Sequence, residues 1–211
     1  SAVTVVICLP STPPAALISL TATSRPRKLS CPSSARLPLN GNSAPTLISA
    51  QAVPDAQFEP AFQVFMRASQ GEEAAIAQAA DAFAALLKAE PANPVLQAYS
   101  GAAMAMRAQT TMLPWRKMAY AEDGLAQLDK ALALLAPAHE AVGQNQVPAV
   151  LDVKLVAANT FLALPRMMNR HDRGIKLLTE VRRSPLLASA PAPFREAVDK
   201  AVRKAGLEGA Q

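Results

Sequence analysis

Past residue 52 the apolar positions recur at steps of three and four, the period of a helix with one dry face. Met118, Ala121, Leu125, Leu128, Leu132 and Leu135 form one such seam. Phe194, Ala197, Val198, Ala201, Val202 and Ala205 form another, opposite Arg195, Glu196, Asp199, Lys200, Arg203 and Lys204, as suits a terminal helix with one wet side. The pattern predicts seven helices, near 57–69, 72–89, 94–109, 115–136, 147–163, 171–183 and 192–205. No run alternates β-branched with polar residues, so an all-α fold is expected. Breakers fall between the helices: Gly71, the "EPANP" of 90–94, and prolines at 114, 137, 148, 165, 185, 191 and 193. Asn93 suits an N-cap, with Pro94 in the first turn. The 147–163 helix is apolar almost all round, with Asp152, Lys154 and Asn159 as its few polar residues. It is expected to be central, covered on several sides.

A repeat underlies the helices. "AADAFAALLKAEPANP" sets Ala79, Phe83, Leu86 and Pro91 at spacings of four, three and five, and Gly101 follows ten residues later. Gly124, Leu128 and Ala131 repeat the small, bulky, small spacing, with Pro137 falling one residue late. Small residues at such offsets let paired helices approach closely. The pattern resembles the tetratricopeptide repeat, in degenerate form, over roughly 60–185. The resemblance implies antiparallel helical hairpins stacked in a short array, with a concave groove that holds another protein. This sequence departs from that family between Gly101 and Gly124. Some eleven extra residues, "RAQTTMLPWRK", stand there. A related stretch recurs about 50 residues on, "LPWRKMAYAEDGLAQLDKAL" (113–132) over "LPRMMNRHDRGIKLLTEV" (164–181).

Composition and charge divide the chain. Residues 1–52 hold Arg25, Arg27, Lys28 and Arg36 and no acid, whereas 53–211 hold 17 cations against 16 acids. The body is nearly neutral, so its overall charge does not support a nucleic-acid partner. Both cysteines, Cys8 and Cys31, lie before residue 52, and no 18-residue apolar span exists, so no transmembrane helix is expected. The proline- and serine-rich segment 1–52 reads as a disordered or cleavable tail ahead of a helical repeat domain at 53–211. "APTLISAQA" ends in an A-x-A pattern suited to signal-peptidase cleavage, with the basic run upstream. Export to the periplasm or a similar compartment is expected. An organelle-targeting segment is the alternative, and a misread upstream stretch is a third reading.

No catalytic motif stands out. There is no Gly-rich phosphate loop, no G-x-S-x-G and no H-E-x-x-H. His139 and His171 lack a second ligand at metal spacing, and Met104 and Met106 point to different helix faces. No cofactor and no metal is expected, and no enzymatic activity. The expected work is that of a scaffold or adaptor for another protein, in an envelope assembly. The candidate partner contacts are Trp115, Arg116 and Lys117 in the extra segment, and Tyr99, Arg107 and Asn159 along a groove lined by the 94–109 and 147–163 helices. Trp115 has two readings. It packs half-buried at the edge of its helix's seam, or it stands exposed between cations as an interface anchor. The densest cationic run, Arg166, Arg170, Arg173 and Lys176, is the place for a peripheral membrane contact, with a solvated face as the plain alternative. The rival function is a small-ligand carrier or an enzyme with an unrecognised pocket, for which Asp152, Lys154 and Asn159 are the hints.

Overall fold

A computed structural model describes residues 55–207. The export, targeting and cysteine expectations for the segment before it lie outside the described residues. Seven helices follow in order: α1 (Asp55–Ser69), α2 (Glu73–Ala89), α3 (Pro94–Thr110), α4 (Pro114–Ala133), α5 (Ala149–Ala163), α6 (His171–Arg183) and α7 (Ala192–Lys204). No strand occurs among the described residues, and none of their helices is long and apolar enough to cross a membrane.

The helix starts follow from the sequence. Asn93 Oδ1 accepts from the backbone N–H groups of Val95 and Leu96 at 3.0 and 3.3 Å, which satisfies donors that α3 cannot pair internally. Pro94 and Pro114 occupy first turns, where the missing N–H costs nothing. Three-residue links, 70–72 and 111–113, fold α1 back on α2 and α3 back on α4. α5 and α6 pair across 164–170. The hairpins stack in sequence order, with α3 touching α1, α2, α4 and α5, and α7 closing on α6.

Two helices, not one, are central. α5 is buried as its composition predicts, and α3 is as enclosed, with every residue from Pro94 to Ala103 buried. Four neighbours can crowd α3 because its side chains are small. The closest approach is at Gly101, where an added Cβ would stand 2.8 Å from the Gly124 carbonyl oxygen. A Cβ on Gly124 would stand 2.6 Å from the Gly101 oxygen and 2.8 Å from the Ala105 nitrogen. Backbone therefore packs on backbone, and even alanine does not fit. Gly174 repeats the device between α6 and α5, where a Cβ would meet Leu162 Cγ at 2.9 Å.

The first three helices meet around aromatic rings. Phe58, Phe62 and Phe65 of α1, Phe83 of α2 and Tyr99 of α3 form one cluster, in which Tyr99 meets each of the four phenylalanines. Tyr99 stacks on Phe83 with centroids 5.0 Å apart and meets Phe65 edge-on at 4.9 Å, both favoured arrangements of ring quadrupoles.

Candidate functional site

The segment 107–117 is not a loose connection. Alanine, methionine, arginine and glutamine are good helix formers, so α3 runs on to Thr110 and α4 begins at Pro114. The two helices of this hairpin span 17 and 20 residues, or roughly 25 and 30 Å, and α4 is the longest of the seven. The turn between them is held locally. Thr111 Oγ1 accepts from the Leu113 N–H at 3.3 Å, and the Leu113 carbonyl accepts the first helical bond, from Lys117 N–H, at 3.0 Å.

Every residue from Met112 to Ala119 is exposed. Met112 is 93% exposed, Trp115 67%, Met118 41% and Leu113 38%. Among the described residues only Val142 and Met167 join these four as exposed large apolar side chains, so the exposed apolar surface is concentrated at this tip. Trp115 is thus not half-buried, and the tip presents it rather than hiding it. Arg116 and Lys117 are exposed beside it, and neither has an ion pair among the described residues.

Arg107 forms the base of the tip. Its guanidinium lies 5.2 Å from the Tyr120 ring centroid and 3.7 Å from Asp81 Oδ1, so it joins α3 to both neighbours. Asn159 is half-buried on α5. Tyr99 requires a correction. At 1% exposure it lies inside the aromatic cluster and offers a partner nothing. Along Pro94–Ala103 the expected groove between α3 and α5 falls with it, because every residue of that stretch is buried.

The polar residues of α5 likewise do not form one pocket. Asp152 accepts a hydrogen bond from the Tyr99 hydroxyl at 2.9 Å, in the core. Burial pushes the Asp152 carboxyl up to about 7, against a smaller downward pull from that bond. Burial, and then the neighbouring carboxylate, also raise Tyr99. Lys154 points instead to α6, 2.8 Å from Glu180 Oε2. That pair stands in an open cleft of about 560 Å³, with Val150 and Leu186 as apolar lining and Lys176 and Arg183 at the rim.

The basic run is also divided. Arg170 and Arg173 both turn to Asp129 of α4, the first at 2.9 Å, and their guanidinium carbons stand 5.8 and 5.4 Å from the Phe161 ring centroid. They clamp α6 to α4 and α5 rather than facing outward with Arg166 and Lys176, so the run is not a continuous membrane-facing patch. His139 accepts from the Ala136 N–H through Nδ1 at 2.9 Å, a bond within its own turn. No group of three or more His, Cys, Asp or Glu able to hold a metal occurs among the described residues.

Two signals were present in the sequence and overlooked. Phe58, Phe62 and Phe65 stand at i, i+4 and i+7, the spacing of a buried helix stripe. No charged residue occurs between Glu90 and Arg107, as expected of a helix surrounded by others. No family model, no curated protein and no solved structure matches this chain.

Proposed function

We propose that the chain is a non-catalytic scaffold, built from helical hairpins that resemble tetratricopeptide repeats, which docks through the α3–α4 tip and holds another protein on its body. The observation that carries this reading is the tip: four large apolar side chains and two cations with no ion pair among the described residues, exposed at the end of the α3–α4 hairpin. A cluster of large exposed apolar side chains in one short segment is costly to keep in water and marks a contact surface. Trp and Arg are the side chains that most often dominate such contacts. Close backbone packing at Gly101 and Gly124 supports the reading further, because it fastens α3 to α4 below the tip. The seat for the held protein is the α5–α6 cleft, whose mixed lining of Lys154, Glu180, Lys176 and Arg183 suits an extended segment bearing both charges.

The test is affinity capture with the full chain as bait, beside a Lys154→Glu, Lys176→Glu variant. A defined protein retained by the wild type and lost by the variant is the expected result. A small molecule retained in its place would overturn the scaffold reading and favour a ligand carrier, for which the cleft volume of about 560 Å³ is sufficient.

A further inference from the structure

We propose that the occupant of the α3–α4 tip is an anionic lipid surface, into which Met112, Leu113, Trp115 and Met118 insert while Arg116 and Lys117 meet the headgroups. The proposal rests on the tip being a docking element and names what it docks on. Size is the first argument. The exposed tip comprises the eight residues Met112–Ala119. A standard protein interface takes about 20–30 residues a side. A lipid surface needs no complementary patch of that extent, because only the side chains that enter it must be apolar.

Shape and residue type point the same way. The four apolar side chains do not share one flat face. Met112 and Leu113 sit in the link, and Trp115 and Met118 one turn apart on α4. An apolar cap at the end of a hairpin fits a fluid phase that closes around it. Methionine and leucine side chains adapt to such a phase. Tryptophan, with an apolar body and one N–H donor, sits at the boundary between acyl chains and water.

Charge selects the kind of lipid. No acidic residue occurs between Glu90 and Glu122, so the exposed run Met112–Ala119 carries Arg116 and Lys117 and no acid; Glu122 and Asp123 are exposed further along α4. Each cation held near an anionic bilayer raises partition about fivefold, an attraction that reaches about a Debye length and weakens as added salt shortens it. This tip, with two free cations next to the apolar residues, replaces the 166–183 run as the membrane-facing element. In that run Arg170 and Arg173 are taken by Asp129.

Trp115 is the only tryptophan in the chain, so its fluorescence reports the tip alone. The full chain is mixed with phosphatidylcholine vesicles, with or without phosphatidylglycerol. The expected result is a blue shift of Trp115 emission and quenching by brominated acyl chains with the anionic vesicles, both fading as salt is added. Co-sedimentation should fall at least tenfold in a Met112→Ser, Trp115→Ser variant. That variant changes only exposed side chains and should keep its helical circular dichroism. It should also fall in an Arg116→Glu, Lys117→Glu variant. Sedimentation that persists in the serine variant would place lipid binding elsewhere in the chain and overturn the proposal. An unshifted Trp115 with both vesicles would overturn it too. In that case, photo-crosslinking from position 115 to a protein would keep the tip as a docking element for a protein partner, and no adduct of any kind would remove the docking reading as well.

Discussion

Asp152 gives the core a pH dependence that is opposite to that of an ordinary ion-paired carboxylate. Its carboxyl is enclosed, accepts one hydrogen bond from Tyr99, and titrates at about 7 when folded against 3.8 when exposed. The folded chain therefore holds a proton that the unfolded chain has released between those two values. Stability linked to this group is fully present at about pH 4 and below, is lost as pH rises toward 7, and stays lost above it. From about pH 5 to the folded value is roughly two units, worth on the order of 3 kcal/mol at ~1.4 kcal/mol per unit. The perturbation is Asp152→Asn, which keeps an acceptor for Tyr99 and cannot ionise. The amide adds donors that need partners, at a cost of about 1–3 kcal/mol, but that cost does not change with pH. The assay is urea unfolding followed by circular dichroism near pH 5 and near pH 8 for both proteins. The stability difference, variant minus wild type, should be more favourable to the variant at the higher pH by about 3 kcal/mol. An equal difference at the two pH values, or one larger at pH 5, would refute a buried, raised Asp152.

Three further outcomes are expected. Tyr99→Phe keeps the ring in its stack and removes the hydroxyl that stabilises the carboxylate, so its destabilisation in the same urea assay should be larger near pH 8 than near pH 5. Gly124→Ala should destabilise by about 1–3 kcal/mol, because a Cβ at 2.6 Å from a carbonyl oxygen forces α3 and α4 apart. Helix propensity alone predicts a gain of up to about 1 kcal/mol, so the sign of the measured change decides between them. Asp129→Asn should loosen α6 by about 1 kcal/mol or less, since Asp129 and both arginines are about a third exposed and water screens them. A double-mutant cycle with Arg170→Ala measures that coupling, and a value near zero would show that the clamp is ornamental.

The helices were legible because their boundaries rest on local chemistry: Asn93 with Pro94, Pro114, and the seams at steps of three and four. Gly101 and Gly124 were legible as close-approach positions because only a small residue serves where two backbones meet, and they do face each other. Which helix faces are covered was harder to read. The sequence offers Tyr99 as a polar aromatic on a helix, and nothing local shows that its hydroxyl has a carboxylate 53 positions away to bond. The pairing of Arg170 and Arg173 is hidden from the sequence for the same reason, since Asp129 lies on another helix. Trp115 sits at the edge of a seam, which suggests partial cover. Cover depends on how many helices reach that level, and Met112–Ala119 lie in the end of one hairpin.

The most direct test of docking through the tip is a photo-reactive residue at position 115 in the full chain, compared in the source cells with the same residue at Arg195, an exposed site on α7. The account predicts a defined adduct from position 115, to lipid or to a single protein, and none from position 195. No adduct from 115, or the same scattered adducts from both positions, would contradict it.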